Sequence, residues 1–222
     1  PLCICYIMEL KNYPQPSVTV DLNVFTIKDD KLNVLLIKRN NEPFKDKWAL
    51  PGGFVRIDET IVDAAKRELN EETGLKGVYL EQLYTFGEIE RDPRGRVITI
   101  AYIALINSDN ISIKSGTDAK EVQWFSIKDL PELAFDHKKI LQYAMKRLRW
   151  KFEYTAIGFS MLSKKFTLGD LLKLYEIVFD KRFDKRNFIK KIKFLKILKY
   201  EETKKEVSYR PPQLYSLKKN IP

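Results

Sequence analysis

From Gly52 to Leu75 the chain reads GGFVRIDETIVDAAKRELNEETGL, and no other stretch restricts its fold so tightly. Two adjacent glycines permit a backbone path closed to other residues. Thr60 to Thr73 has helical composition, and Gly74 closes that helix as its C-cap. Glu68, Glu71 and Glu72 are spaced 0, 3 and 4, so all three leave one helix face within about one turn. Like charges so placed cost a helix roughly 0.2–0.5 kcal/mol per pair. A hard divalent cation bound by carboxylate oxygens offsets that cost, and Mg²⁺ in particular is shared with substrate phosphates rather than caged by protein alone. An ordinary acidic surface helix accounts for the glutamates but not for the Gly-Gly turn or the spacing. Arg67 and Glu59 are placed for a supporting ion pair, and the freedom at Gly52 and Gly53 lets a carbonyl reach the ion.

Position by position, Gly53-x5-Glu59-x7-Arg67-Glu68-Leu69-x-Glu71-Glu72-x-Gly74-Leu75 resembles a complete Nudix box, with nine specified positions over 23 residues. The resemblance implies the Nudix fold, an α/β/α sandwich with a mixed sheet, and hydrolysis of a nucleoside diphosphate linked to another group. It implies Glu68, Glu71 and Glu72 as ligands of Mg²⁺ or Mn²⁺, the Gly52 carbonyl as a further ligand, and Glu59 and Arg67 as organisers of loop and helix. Metal ions neutralise a diphosphate and lower the pKa of a bound water, whose proton a carboxylate then takes. Glu72 and Glu121 are both candidates for that base.

Around the box, strands and helices mix without a regular βαβ repeat, which indicates an α/β (α+β) sandwich with a mixed sheet. Val18, Val20, Leu22 and Val24 alternate with Thr19, Asp21 and Asn23, the pattern of a half-buried strand. Asp29-Asp30 turns the chain into a partner at Leu32–Ile37. Further strand-like runs are Trp48–Val55, Val78–Phe86, Val97–Ile106 and Val122–Ile127, and Ile140–Trp150 reads as an amphipathic helix. Tyr84-Thr85-Phe86-Gly87 with the loop Arg91-Asp92-Pro93-Arg94-Gly95-Arg96 resembles the Nudix branch that handles ADP-ribose. Arg91, Arg94 and Arg96 suit phosphates, since a guanidinium offers paired donors. Phe44 is placed either to stack on a base or to pack in the core, Gly53 borders the substrate, and Trp48, Trp124 and Trp150 read as packing residues. The single histidine, His137, reads as structural.

Charge divides the chain. Residues 1–150 hold 22 Lys+Arg and 22 Asp+Glu, whereas residues 151–222 hold 18 and 8 and so carry the whole net charge of +10. Such asymmetry indicates a neutral domain followed by a basic one that meets a polyanion. In the basic part Thr167 reads as an N-cap before an apolar helix, and Asp184 caps a second helix from Lys185 to about Leu198. A polar two-stranded ribbon over 200–217 follows. Two helices and a ribbon make a winged helix-turn-helix plan, in which the second helix enters the major groove. Lys185, Arg186, Lys190 and Lys193 would then contact phosphates or base edges, Asn187 a base, and Arg210 the backbone from the wing.

Leu133-Ala134-Phe135-Asp136-His137, Phe166-Thr167-Leu168, Asp184-Lys185-Arg186-Asn187-Phe188 and Arg210-Pro211-Pro212-x-Leu214-Tyr215 resemble the Nudix-related transcriptional regulators of NAD metabolism (NrtR-type). That resemblance runs from about residue 15 to the end. It implies a homodimer that couples an ADP-ribose-sensing Nudix domain to a winged helix on a palindromic operator of double-stranded DNA. The expected organisation is an extension over 1–14, a Nudix domain over 15–151 and a winged helix domain over 152–222. Two functions are open: Mg²⁺-dependent cleavage of ADP-ribose or a related nucleotide sugar to AMP and a sugar phosphate, or ligand-gated regulation without appreciable turnover.

The remaining features are restrictive rather than informative. Cys3 and Cys5 form no disulfide framework, which points to a reducing cytoplasm, and an isolated Cys-x-Cys lacks the second pair a zinc site needs. No apolar run approaches the ~20 residues of a membrane span. The opening residues do not read as a signal peptide, and Met8 is a candidate start with the first seven residues an extension.

Overall fold

The structure, a computed structural model, describes residues 13–107, 119–203 and 212–218. The readings placed on Cys3, Cys5, the first seven residues and Arg210 lie outside the described residues. The elements run β1 (Ser17–Lys28), β2 (Lys31–Arg39), β3 (Trp48–Ala49), β4 (Gly52–Phe54), α1 (Ile61–Thr73), β5 (Tyr79–Phe86), β6 (Val97–Leu105), β7 (Ala119–Ser126) and α2 (His137–Tyr154). A 3₁₀ turn (Ile157–Met161) leads to α3 (Leu168–Phe179), α4 (Lys185–Phe194), β8 (Leu198–Thr203) and β9 (Gln213–Leu217).

The β1–β2 hairpin turns through Asp29 and Asp30, both left-handed at φ 51° and 57°. Aspartate tolerates that region better than most residues. β1 also pairs in parallel with β6, from Ser17↔Val97 to Phe25↔Leu105. β5 lies antiparallel on β6, β7 antiparallel on β2, and β4 on β1, so the sheet is mixed, as expected.

One expectation for β1 is corrected. Its alternation indicated one wet face, yet Thr19, Asp21 and Asn23 are all buried. Helices cover both faces. Val20, Leu22 and Val24 pack with Ala64, Ala65 and Leu69 of α1, while Phe25, Ala101 and Ile103 pack with Ile140, Leu141 and Leu148 of α2. Two of these polar residues find partners inside: Asn23 Nδ2 donates to the Tyr102 carbonyl at 3.1 Å and Asp21 pairs with Arg91 at 3.2 Å, whereas the Thr19 hydroxyl is buried with no hydrogen-bond partner among the described residues. Period-2 polarity marks alternating faces, not solvent.

α1 starts at Thr60, whose side chain accepts from Asp63 N–H, and ends at Gly74, left-handed at φ 74°. α2 begins three residues before its expected start and runs four beyond its expected end. Trp48 packs edge-on to Phe125 at 4.6 Å and Trp124 is partly buried, consistent with packing roles. Trp150 is the exception: it is exposed, with the Lys146 ammonium 4.9 Å from its ring.

α3 is held by a capping box, in which Thr167 accepts from Asp170 N–H and Asp170 accepts from Thr167 N–H. Thr167→Ala is expected to lower unfolding stability by about 1 kcal/mol, read as a shift in denaturant midpoint at unchanged slope. α4 stops at Phe194 rather than Leu198. Lys196 turns the chain at φ 54°, and Ile197 and Leu198 fold back onto Phe166, Phe188 and Ile192. Met161, Leu174 and Val178 join the core that α2 shares with the sheet, so α3 is seated on the larger unit.

Candidate functional site

A cavity of about 420 Å³ opens where the β1 and β4 backbones, α1, the 88–96 loop and the start of α2 meet. Its lining includes Gly52, Gly53, Arg67, Glu68, Glu71, Glu72, Arg91 and Arg94. Glu72 is buried, and its Oε2 accepts the Gly52 N–H at 2.7 Å. Contact requires the glycine at position 52, where a Cβ would overlap the Val20 carbonyl; a Cβ at Gly53 would meet only the movable carboxylate of Glu68.

Arg67 organises the acidic face. Its Nε and Nη2 donate to Glu59 at 2.9 and 2.6 Å, its Nη1 to Glu68 at 2.6 Å and Glu71 at 3.0 Å, and Nη2 also to the Phe54 carbonyl at 3.1 Å. Glu59 accepts the Arg56 N–H as well, at 2.9 Å. The Arg67 bonds hold the Glu59 carboxyl down at about 2, while burial pushes Glu68 upward. A depressed folded-state pKa means stability present above the ordinary value of 4.5 and lost as pH falls from there towards 2. Glu59→Gln is therefore expected to flatten the acid limb of a melting-temperature profile across that window.

The carboxylates suit a hard divalent cation. They supply oxygen donors only, they share one cavity wall, and the desolvated Glu68 gains from added positive charge. Glu68 and Glu71 face the Arg67 guanidinium here, and among the described residues no three carboxylates already converge as a ligand cluster. Each gives one oxygen to Arg67 and keeps the other for an ion, and a shift of these side chains would bring the three carboxylates together.

The arginines of the 88–96 loop separate into different roles. Arg94 lines the cavity, is held by Asp92 at 2.7 Å, and lies over the Phe54 and Phe135 rings at 5.0 and 5.6 Å. Arg91 is buried between Asp21 and Asp136. Arg96 donates to the Gly87 and Glu88 carbonyls, which closes the loop, and it stands outside the cavity lining. Phe44 also stands outside and packs edge-on against Phe135 at 4.8 Å. Glu121 sits on β7 beside Lys38 at 3.8 Å, away from the cavity.

Several lining residues are not among the site residues expected from the sequence: Asp21, Arg39, Arg56 and Phe54, and also Asp92 and Phe135, which lie within the motifs quoted above without a role assigned to them. Asp21 has the look of a solvent-side strand residue. Phe135 holds a left-handed φ of 52°, a conformation that costs an aromatic residue and that only tertiary structure reveals. His137, read as structural, accepts the Leu50 N–H on Nδ1 at 2.9 Å and is buried. It nevertheless lines the cavity floor.

The second candidate region is α4. Phe188 and Ile192 are buried, and Lys185, Arg186, Asn187, Lys190 and Lys193 are all exposed. Among the described residues none of these four cations has a carboxylate partner. Asp184 caps the helix through the Asn187 N–H at 2.8 Å. The described helices include none long and apolar enough to cross a membrane.

The chain resembles known proteins over both of its parts. The NUDIX domain family matches residues 18–144, and the NrtR DNA-binding winged helix domain matches residues 158–217. An ADPR responsive transcriptional repressor, NtrR, of Acinetobacter baylyi is 37% identical over 93% of this chain and 84% of its own. An ADP-ribose pyrophosphatase of Methanocaldococcus jannaschii is 46% identical over 63% of this chain and 77% of its own. The crystal structure of Shewanella oneidensis NrtR complexed with a 27mer DNA superposes with TM-score 0.80 at 36% identity, covering 90% of this chain and 93% of that one. The chain belongs to the Nudix family, and to its members that carry an NrtR winged helix domain.

Proposed function

We propose that the protein is an ADP-ribose-responsive DNA-binding regulator that retains Mg²⁺-dependent cleavage of ADP-ribose to AMP and ribose 5-phosphate. One observation carries this reading: a single cavity is lined by Glu68, Glu71 and Glu72 together with arginines, in a chain whose second domain presents an exposed cationic helix. A diphosphate needs both oxygen-bound metal and guanidinium donors.

Glu68, Glu71 and Glu72 would hold Mg²⁺ or Mn²⁺ with help from the Gly52 backbone; when bound, the ion supplies charge neutralisation and an acidified water. Arg67 and Glu59 fix the acidic face. Arg94, braced by Asp92 and by aromatic rings, is set to meet a phosphate. Of the two candidate bases, Glu121 is outside the cavity, so Glu72 takes the proton from water in this reading. On the nucleic-acid side, Lys185, Arg186, Lys190 and Lys193 contact phosphates or base edges and Asn187 a base, in a homodimer on a two-fold site of double-stranded DNA.

The test uses the full chain. Incubation with ADP-ribose and Mg²⁺, followed by chromatography, should show AMP that disappears with chelator. Fluorescence anisotropy with a duplex selected by the protein from random-sequence DNA should show binding that ADP-ribose modifies. Binding without AMP release reduces the reading to a sensor, and AMP release without DNA binding reduces it to an enzyme.

A further inference from the structure

Beneath the cavity lies a buried ionic bridge that the cleavage chemistry does not use. Arg91, with only 3% of its side chain exposed, donates through Nη2 to Asp21 at 3.2 Å. Its Nη2 and Nε also donate to the two oxygens of Asp136 at 2.8 and 3.1 Å. Asp21 stands on β1 and Asp136 is the N-cap residue of α2. An aspartate at that position ordinarily accepts from its own helix's first N–H groups. Asp136 makes no such bond: its carboxylate pairs with Arg91, and its backbone, at φ −90° and ψ 16°, lies outside the extended region of a capping residue. His137 adds a contact, with Nε2 3.5 Å from Asp21, and Lys139 in the first turn of α2 pairs at 2.6 Å with Glu88 of the loop that carries Arg91.

The far end of α2 touches the winged helix. Arg149 Nε donates to the Val178 carbonyl at 3.1 Å, the Tyr175 hydroxyl donates to the Phe152 carbonyl at 3.0 Å, and the Phe152 ring packs edge-on to Tyr175 at 5.4 Å. Eighteen helical residues span about 27 Å. One rigid element therefore begins at the cavity floor and ends on α3.

We propose that the Asp21–Arg91–Asp136 bridge is a latch on α2 that a diphosphate in the cavity releases, so that ligand occupancy resets the seat of the winged helix. Arg91 and Asp21 line the cavity, and a phosphate entering it competes with Asp136 for the Arg91 guanidinium. The alternative arrangement has its own stabilisation once the Asp136 backbone swings to the extended conformation, in which the freed carboxylate caps α2. A ligand shifts an equilibrium only through an interaction made better in one state. Here that interaction is the Arg91–phosphate pair, available only when the latch is open.

This inference rests on the proposed function, and the experiment separates the two. Full-length protein and its Asp136→Asn variant are compared by calorimetry with ADP-ribose and by anisotropy with the selected duplex, with and without ADP-ribose. In the unsubstituted chain, the ligand should change DNA affinity about 5- to 150-fold, the usual range of coupling. In Asp136→Asn that factor should collapse towards one, while ADP-ribose affinity stays equal or rises because Arg91 has lost a competitor. A merely structural Asp136 would instead weaken ligand binding. Asp136→Ser, which keeps a capping hydroxyl without charge, gives the same readout if the asparagine variant folds poorly. An undiminished ligand effect in the variants overturns the latch alone. No ligand effect in the unsubstituted chain overturns the regulatory function and the latch with it.

Discussion

Glu72→Gln is expected to slow Mg²⁺-dependent AMP release from ADP-ribose by about 10²- to 10⁴-fold, the range associated with loss of a positioned acid–base group. Glutamine keeps the shape and an oxygen that can still accept the Gly52 N–H, so the loop that Glu72 holds at 2.7 Å should persist. What disappears is the negative charge and the ability to take a proton. Glu121→Gln, on β7 beside Lys38, should leave the rate unchanged. Matched melting curves establish that neither variant is unfolded. Full turnover by Glu72→Gln, or its loss in Glu121→Gln, would reverse the assignment of the base.

The second large effect is on nucleic acid. Arg186→Ala combined with Lys190→Ala removes two exposed cations from one side of α4, opposite the buried Phe188 and Ile192. Each DNA phosphate that the helix no longer neutralises should lower the slope of log affinity against log salt by about 0.9, so the pair predicts a slope shallower by about 1.8. At low salt the affinity should fall by well over tenfold, while AMP release from ADP-ribose is unaffected. Anisotropy titrations at several salt concentrations measure both quantities. An unchanged slope would remove α4 as the groove-facing helix.

The box was legible because its chemistry is local. Spacings of 0, 3 and 4 put Glu68, Glu71 and Glu72 on one helix face whatever surrounds them, and Gly74 ends the helix where its backbone alone is suited to a left-handed φ. Thr167 with Asp170, and Asp184 ahead of α4, are local signals of the same sort. Asp21 was not legible. Alternation along β1 assigns residues to two faces but does not say that α2 covers the second one, and only that cover turns a surface aspartate into a buried partner of Arg91. Arg91, Arg94 and Arg96 lie within six residues and read alike as a sequence. The fold buries the first, points the second into the cavity and commits the third to loop carbonyls. The end of α4 is hidden from periodicity because Leu195 and Leu198 continue a helical apolar period, while the left-handed turn at Lys196 sends Leu198 into a strand.

By itself, then, the order of residues determined the helix that carries the carboxylates, its caps, the alternating strands and the cationic last third, because each depends on neighbours a few positions apart. Tertiary structure decided which of those groups share a cavity, which arginine is buried, and that one helix runs from the cavity floor to the winged helix. Those outcomes depend on pairs such as Asp21 with Arg91, 70 positions apart, and Arg91 with Asp136, 45 apart, and they exist only once both sheet faces are covered. No local periodicity encodes contacts at such separations; packing does.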